Sequence, residues 1–378
     1  MCQNLPGLLL ITRNFPPLWG GMERLNWHMA AELAKSFNVR VIGPTGAAEH
    51  APAGVAVCEA ALKPLWRFLW QAARLAWQEA RAWQPDIVLA GSGLTAPLAL
   101  LAARACNARS AVYVHGLDLT VPHPVYRLLW RPALRRIDTV IANSHATAEL
   151  ARGIGIAPER IRVVHPGVEI PAPDAKARQR FRAVHGIAPD APLLLSVGRL
   201  TARKGLLEFV REVLPLIAEQ HPDVVLAIVG DTPLNALYAQ AQTQEAIQAA
   251  ADAAGVGDRL RFLGKRFGQE LAAAYFAADV HVFPVREIPG DPEGFGMVAV
   301  EAAAHGLPTV AYATGGVAEA VAEGQSGCLV SPGDAQAFAE ATLAVLAGGI
   351  SPETCRAFAQ GFAWPRFGER LQEVLTGE

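Results

Sequence analysis

Residues 289–320 read PGDPEGFGMVAVEAAAHGLPTVAYATGGVAEA, with Glu293 just before Gly294-Phe295-Gly296 and Glu301 eight residues later. The glycines let backbone come close to a ligand, and a helix expected to begin near Phe295 offers unpaired N–H groups and a partial positive charge. Two carboxylates at such a helix start can accept hydrogen bonds from the hydroxyls of a polyol. The plainer alternative makes Glu293 a capping acid and Glu301 a solvated helix residue. Residues 195–205, LSVGRLTARKG, place Arg199 just past a strand end and Lys204 five residues on. A guanidinium fork and an ammonium converging there suit a diphosphate, against the alternative of a solvated basic loop. Gly20 and Gly21 follow the first apolar run at a helix entry, where backbone could approach a phosphate. A simple tight turn would use the same glycines.

The elements that must position these groups alternate along the whole chain. Short apolar runs such as GLLLIT and VRVIG are separated by helix-like stretches such as GMERLNWHMAAELAKSF, the pattern of βαβ units feeding a parallel sheet. Further strands are expected in DIVLAG, SAVYVH, DTVIAN and RIRVVH, then in LLLSVG, VVLAIVG, RLRFLG, ADVHVFP and LPTVAYA. A stretch rich in proline and glycine after His165 puts the domain junction at residues 169–191. The fold class is therefore α/β, with two Rossmann-like doubly wound halves facing across a cleft that holds the substrates. GSGLTA at residues 91–96 matches a dinucleotide fingerprint, which leaves an NAD-dependent oxidoreductase as an alternative. Against it, the motif follows an internal strand, and Ala111 stands where a ribose-binding acid is expected.

With 378 residues, 52% hydrophobic and 18% charged, the chain is a buried globular protein of about two domains. The net charge of −2 argues against nucleic acid as a partner. It also conceals an asymmetry: residues 1–170 carry 17 Lys+Arg against 11 Asp+Glu, and residues 171–378 carry 16 against 24. Five scattered cysteines give neither a disulfide framework nor a zinc-ligand spacing, so a reducing cytoplasm is expected. The first residues, MCQNLPGLLLITRNF, read as a strand rather than a signal peptide. Residues 87–103 lack charge but are too short and too interrupted by Gly91, Gly93 and Pro97 to span a bilayer.

Much of the basic excess lies in two segments. Residues 62–83, LKPLWRFLWQAARLAWQEARAW, set Leu62, Leu65, Trp66, Leu69, Ala73, Ala76, Trp77 and Ala80 on one helical stripe. Lys63, Arg67, Gln71, Arg74, Gln78 and Arg81 form another, and Trp66, Trp70, Trp77 and Trp83 are half of the protein's eight tryptophans. A basic face beside a Trp/Leu face suits a helix lying in a membrane interface, and packing on its own sheet is the plainer reading. Residues 126–136, YRLLWRPALRR, add four arginines.

PEGFGMVAVEAAAHGLP, together with SVGRLTARKG, HGLDL, NSHATAEL and VVHPGVE, resembles the retaining glycosyltransferases of family 4, whose fold is GT-B, over nearly the whole chain. That resemblance implies an acceptor-binding domain at 1–170, a nucleotide-sugar domain at 171–360, and a helix at 361–378 crossing back to the first. It implies that Arg199 and Lys204 hold the donor diphosphate, that Glu301 binds the nucleotide ribose, and that Glu293 lies at the donor sugar. The backbone of Phe295, Gly296, Met297 and Val298 would line sugar and phosphate, and Gly264, Lys265 and Arg266 would meet the nucleobase. Gly20 and Gly21 would close over the phosphate, with His115 beside the anomeric centre. Lys63, Trp66, Arg67, Trp70, Arg74 and Trp77 are the candidate membrane or acceptor surface. One departure is Thr232, in VGDTP, where the family often has glycine.

The implied reaction moves a hexosyl group, mannosyl as first guess, from a nucleoside-diphosphate sugar to a hydroxyl of a glycan or lipid-linked acceptor. A non-catalytic sugar-nucleotide-binding protein is a further alternative. No DxD motif occurs, so neither a metal nor another cofactor is expected. The partners expected are a nucleotide-sugar donor, a glycan or lipid-linked acceptor and an anionic membrane surface, with the protein cytoplasmic or peripheral at the inner face of the membrane.

Overall fold

The apolar runs are too continuous for strands with one wet face. In a computed structural model, which describes residues 5–232 and 241–377, they lie inside two all-parallel sheets. The first contains β1 (Gly7–Ile11), β2 (Asn38–Pro44), β3 (Ala56–Ala60), β4 (Ile87–Ala90), β5 (Arg109–Val114), β6 (Thr139–Ala142) and β7 (Ile161–Val163), in the order β3-β2-β1-β4-β5-β6-β7. The second contains β8 (Leu193–Val197), β9 (Val225–Val229), β10 (Leu260–Gly264), β11 (Val280–Phe283), β12 (Thr309–Tyr312) and β13 (Gly327–Val330), in the order β10-β9-β8-β11-β12-β13. Strand order reverses at β1/β4 in one sheet and at β8/β11 in the other. Such switch points, at the carboxyl ends of the strands, are where open α/β sheets bind ligands.

Each sheet is buried on both sides. In the second, Leu194, Leu226 and Val282 pack into one core while Leu193, Leu195 and Ala227 pack into another, so alternate residues of one strand serve opposite helix layers. The strands read from the sequence all form. Two that were not read, β3 and β13, lie at sheet edges. AVCEA and GCLV are short and only partly buried, so neither shows the continuous apolar run that marks a central strand.

Two compact units result, Met1–Gly167 with Trp364–Glu378, and Val168–Ala363. The chain passes between them at Gly167/Val168, just ahead of the expected 169–191 stretch, which instead leads into the helix Ala177–Val184. The last helix, Trp364–Thr376, packs on the helix Gly21–Leu33 of the first unit. Trp364 stacks on His28 with centroids 3.9 Å apart, and Ser36 Oγ donates to Gln372 Oε1 at 2.6 Å.

Candidate functional site

β8 pairs with β11 through Leu194 and Leu195, short of the β8 end. Two loops meet beyond this switch point. The loop after β8 closes in a turn at Ala202–Lys204, followed by Gly205 with φ +68°, a conformation that favours glycine. Glycine is needed for a second reason: a Cβ on Gly205 would lie 1.9 Å from the carbonyl oxygen of Pro284, at the exit of β11. The Arg286 N–H donates to the Arg203 carbonyl at 2.8 Å, which fastens the same turn to the same exit.

This docking brings opposite charges together. Lys204 Nζ lies 2.8 Å from Glu293 Oε2 and 4.7 Å from the centroid of the Phe283 ring. Arg203, only 8% exposed, pairs through Nε with Asp291 at 3.2 Å and through Nη1 with Glu293. Burial draws the Lys204 ammonium below its ordinary pKa against the pull of Glu293. Burial alone would lift the Glu293 carboxyl, but Lys204 and Arg203 outweigh it and hold that carboxyl below the usual range. Arg199 is exposed, with no hydrogen bond or ion pair among the described residues. The expected pair of donor-holding cations therefore occupies two different environments, one engaged with Glu293 and one open. Arg203, with an environment as constrained as that of Lys204, was not read from the sequence as a site residue; its place beside Lys204 in ARK was the available signal.

Glu293 is seated by glycines on both sides. Gly296 takes φ +94°, and a Cβ there would meet the Phe283 ring at 2.9 Å. A Cβ on Gly316 would meet the Gly294 carbonyl at 2.1 Å, and the Gly316 N–H donates to the Glu293 carbonyl at 3.1 Å. The helix then runs over Met297–Ala304, two residues after the expected start at Phe295. Phe295 itself is buried in the core, so only its backbone could face a ligand. No side chain caps this helix among the described residues, which leaves its first N–H groups for an external acceptor. Glu301 is not the solvated residue of the plainer reading. It is 8% exposed and accepts from the Tyr275 hydroxyl at 3.1 Å, while Glu293 faces cations. The two carboxylates thus have separate protein partners.

Gly264 ends β10 with φ +66°, Lys265 is exposed, and Arg266 Nη1 lies 3.7 Å from Glu270. Thr232 donates its hydroxyl to the Gln242 carbonyl at 2.9 Å. It is not among the non-glycine residues with positive φ, Gln84 and Asn107, so the VGDTP departure needs no glycine geometry. Pro233 of that motif lies outside the described residues.

In the first unit the helix Gly21–Leu33 follows Gly20, whose extended backbone any residue adopts. Glu23 folds back to this helix start, where its Oε2 would lie 2.4 Å from a Cβ on Gly20, and its Oε1 accepts from Asn14 Nδ2 at 2.8 Å. A carboxylate thus stands where the sequence suggested a phosphate. His115 Nε2 lies 3.1 Å from the Gly91 carbonyl. A carbonyl can only accept, so Nε2 carries the proton, and Nδ1 is the nitrogen left for a ligand. Asp118 of HGLDL accepts the His115 N–H at 2.9 Å and the Gly93 N–H at 2.8 Å.

That last contact removes the dinucleotide reading of GSGLTA. Asp118 already occupies the N–H that a pyrophosphate would need. Packing accounts for the glycines as well, since a Cβ on Gly91 would lie 1.9 Å from Asn26 Oδ1 and one on Gly93 would lie 2.9 Å from Asp118 Cβ. NSHATAEL likewise has a structural use: Ser144 caps its helix by accepting from the Thr147 N–H at 3.0 Å.

The helix Leu65–Trp83 corrects the expected stripe. Its core face is Phe68, Ala72, Ala76 and Ala80, each nearly inaccessible, rather than the row containing Trp66 and Trp77. Trp66, Trp70 and Trp77 are 70%, 61% and 50% exposed, so these rings share the outer side with Arg67, Arg74 and Arg81. Trp83 turns back to the core, with Arg40 4.2 Å from its centroid. The wide periodic run hid the phase, because alanines at helical spacing pack closely against a sheet and leave bulk outside. Leu101, Leu128 and Leu129 are exposed in the same unit. Among the described residues no helix is long and apolar enough to cross a membrane.

The chain is similar to known proteins along nearly its whole length. The family described as Glycosyltransferase Family 4 matches residues 19–170, and Glycosyl transferases group 1 matches residues 191–348. The GDP-mannose-dependent alpha-(1-6)-phosphatidylinositol monomannoside mannosyltransferase of Mycolicibacterium smegmatis is 32% identical, over 98% of this chain and 98% of that protein. D-inositol 3-phosphate glycosyltransferase 2 of Catenulispora acidiphila is 35% identical over 60% of this chain and 52% of its own length. In fold, the chain is similar to Anabaena Alr3699/HepE crystallised with UDP, at TM-score 0.78 and 20% identity, covering 98% of this chain and 100% of that one. A relative this similar over almost its entire length, together with two parallel sheets of the GT-B type, shows that the chain belongs to the family 4 glycosyltransferases.

Proposed function

We propose that this glycosyltransferase moves a hexosyl group, mannosyl before others, with retention of configuration from a nucleoside-diphosphate sugar to a hydroxyl of a lipid-linked or glycan acceptor. The observation that carries the reading is the cluster at the β8/β11 switch point. There an engaged Lys204, an open Arg199 and the uncapped start of Met297–Ala304 lie in loops at the carboxyl ends of one sheet. These are cationic and N–H groups suited to a leaving diphosphate.

In this reading Arg199 and Lys204 take the diphosphate and Glu293 meets hydroxyls of the donor sugar. Glu301 binds the ribose, the backbone of residues 295–298 lines sugar and phosphate, and residues 264–266 contact the base. Of the first unit's expected residues, His115 is kept for the anomeric carbon, while Gly20 and Gly21 are not assigned the phosphate, because Glu23 covers that helix start. As the bond from the anomeric carbon to the phosphate oxygen breaks, negative charge grows on the leaving group. Fixed cations therefore lower the barrier more than they stabilise the bound donor. The acceptor oxygen bonds to the anomeric carbon on the same face, and its proton passes to the departing phosphate. No metal enters this scheme.

Mannose is favoured because a 32%-identical, full-length relative is named GDP-mannose-dependent, and a lipid acceptor because that name includes phosphatidylinositol. The exposed Trp66, Trp70 and Trp77 beside Lys63, Arg67 and Arg74 add an interfacial surface complementary to anionic lipid. Thermal shift with GDP-, UDP- and ADP-sugars, then turnover with the best of them, tests the donor. Stabilisation by a GDP-sugar and an axially retained product are expected. No shift with any nucleotide sugar, or binding without turnover, would refute the enzyme reading. Flotation with liposomes containing anionic lipid at low salt tests the surface, and failure to float would remove it.

A further inference from the structure

Glu293 is touched by two cations through one oxygen. Arg203 Nη1 and Lys204 Nζ both reach Oε2, and Oε1 has no hydrogen bond among the described residues. The two cations differ in what else they do. Arg203 faces two carboxylates: its Nη1 donates to Glu293, while its Nε lies 3.2 Å from Asp291 Oδ1 as an ion pair without a hydrogen bond, and its side chain is 9% exposed. Its backbone carbonyl is held by the Arg286 N–H at 2.8 Å. Lys204 has one hydrogen-bonded acceptor on its ammonium and two remaining protons.

We propose that Arg203 is a positioning residue, the permanent counter-ion of Glu293 and Asp291, which frees Lys204 to exchange Glu293 for the donor diphosphate. The inference rests on the placement of the diphosphate given above. Arg199, Arg203 and Lys204 oppose Asp291 and Glu293, so the cluster holds one more cation than carboxylate before any ligand arrives. A diphosphate draws Lys204 away from Oε2. With Arg203 in place Glu293 keeps a partner, and its Oε1 stays aimed by the guanidinium. Without Arg203 the same movement would strand a buried carboxylate, which is strongly unfavourable. Lys204 would then stay on Glu293, and donor binding would suffer although Arg203 itself never touches the donor.

The test is calorimetric titration of GDP into wild type, Arg203→Met, Arg203→Lys, Lys204→Met, Glu293→Gln and the double variant Arg203→Met/Glu293→Gln. UDP or ADP replaces GDP if wild type prefers it. Arg203→Met is expected to weaken binding about 10- to 100-fold, by analogy with the loss of a group that orients a metal-ligating side chain. Arg203→Lys should fall between it and wild type, because a lysine keeps the charge but not the fork. The double variant should bind as Glu293→Gln alone does, since no carboxylate then detains Lys204. A residue that only stabilised the fold would lower the melting temperature without this recovery.

Arg203→Met binding as tightly as wild type, or a double variant no better than Arg203→Met, would overturn the proposal. If Arg203→Met does not fold, Arg203→Lys decides: equality with wild type overturns the proposal and weakened binding supports it. Absence of binding by wild type to all three nucleotides, or Lys204→Met binding like wild type, would instead defeat the underlying placement of the diphosphate.

Discussion

Replacing Gly205 with alanine perturbs the site without removing any group that touches a ligand. Two penalties apply. Alanine at φ +68° costs on the order of 1–2 kcal/mol in backbone strain. Its Cβ would also lie 1.9 Å from the Pro284 carbonyl oxygen, where Cβ atoms essentially never come within 3.0 Å, so turn and strand exit must part by about 1 Å. Lys204 is the preceding residue, and its 2.8 Å contact with Glu293 depends on that docking. A misplacement of about 1 Å at a reacting centre is worth roughly 100-fold, or about 2.7 kcal/mol of barrier. Steady-state kcat/KM at saturating acceptor, with a thermal melt, measures both penalties. Gly54→Ala is the control: Gly54 has φ +79° and nothing within 4 Å of its Cβ position, so it should lose stability by strain alone and keep full activity. Folded Gly205→Ala with kcat/KM within about twofold of wild type would refute the reasoning.

Three histidines, His281 buried and His305 and His28 half-buried, should make the fold acid-sensitive. Burial, with Lys204, lowers His281 to about 3; burial with Arg356 lowers His305 to about 4, and burial with Arg24 lowers His28 to about 4. A depressed folded-state pKa gives stability fully present above the unfolded value of 6.5 and lost as pH falls toward the folded value. Urea unfolding at pH 7, 6 and 5 should show a loss on the order of 1.4 kcal/mol per unit for each fully coupled histidine, and a flat profile would contradict it. The phase of the helix Leu65–Trp83 predicts that Phe68→Ala costs about 3–5 kcal/mol, whereas Trp70→Ala changes stability by no more than about 0.5 kcal/mol. Equal effects in urea titrations would mean the face is misassigned. Activity should survive EDTA, and its loss there with recovery on adding Mg²⁺ would show a metal requirement.

The central strands were legible because a strand buried on both faces must be apolar throughout, as in IVLA and VLAIV. The edge strands β3 and β13 lack that constraint. Spacing around Glu293, Glu301, Arg199 and Lys204 located the loops that meet beyond β8 and β11, since turns at a strand's carboxyl end are short and the glycines there are forced by close approach. Which charges pair was not legible: Arg203 and Lys204 are adjacent, and only the docking of Gly205 on Pro284 turns both toward Glu293. Glu23 shows the same limit. Its spacing from Gly20 is that of an ordinary first-turn acid, and its fold back onto Gly20 is a rotamer choice. The tryptophan stripe was misphased because hydrophobic periodicity cannot tell bulky apolar residues that leave the core from small ones that fill it.

The central claim is that Lys204 stabilises charge growing on a departing nucleoside diphosphate. Its most direct test is the rate of nucleoside-diphosphate release by wild type and Lys204→Met with saturating donor and acceptor. Loss of one preorganised donor at a developing oxyanion predicts a fall in kcat of about 100- to 1000-fold. A folded Lys204→Met enzyme turning over at the wild-type rate would contradict the account.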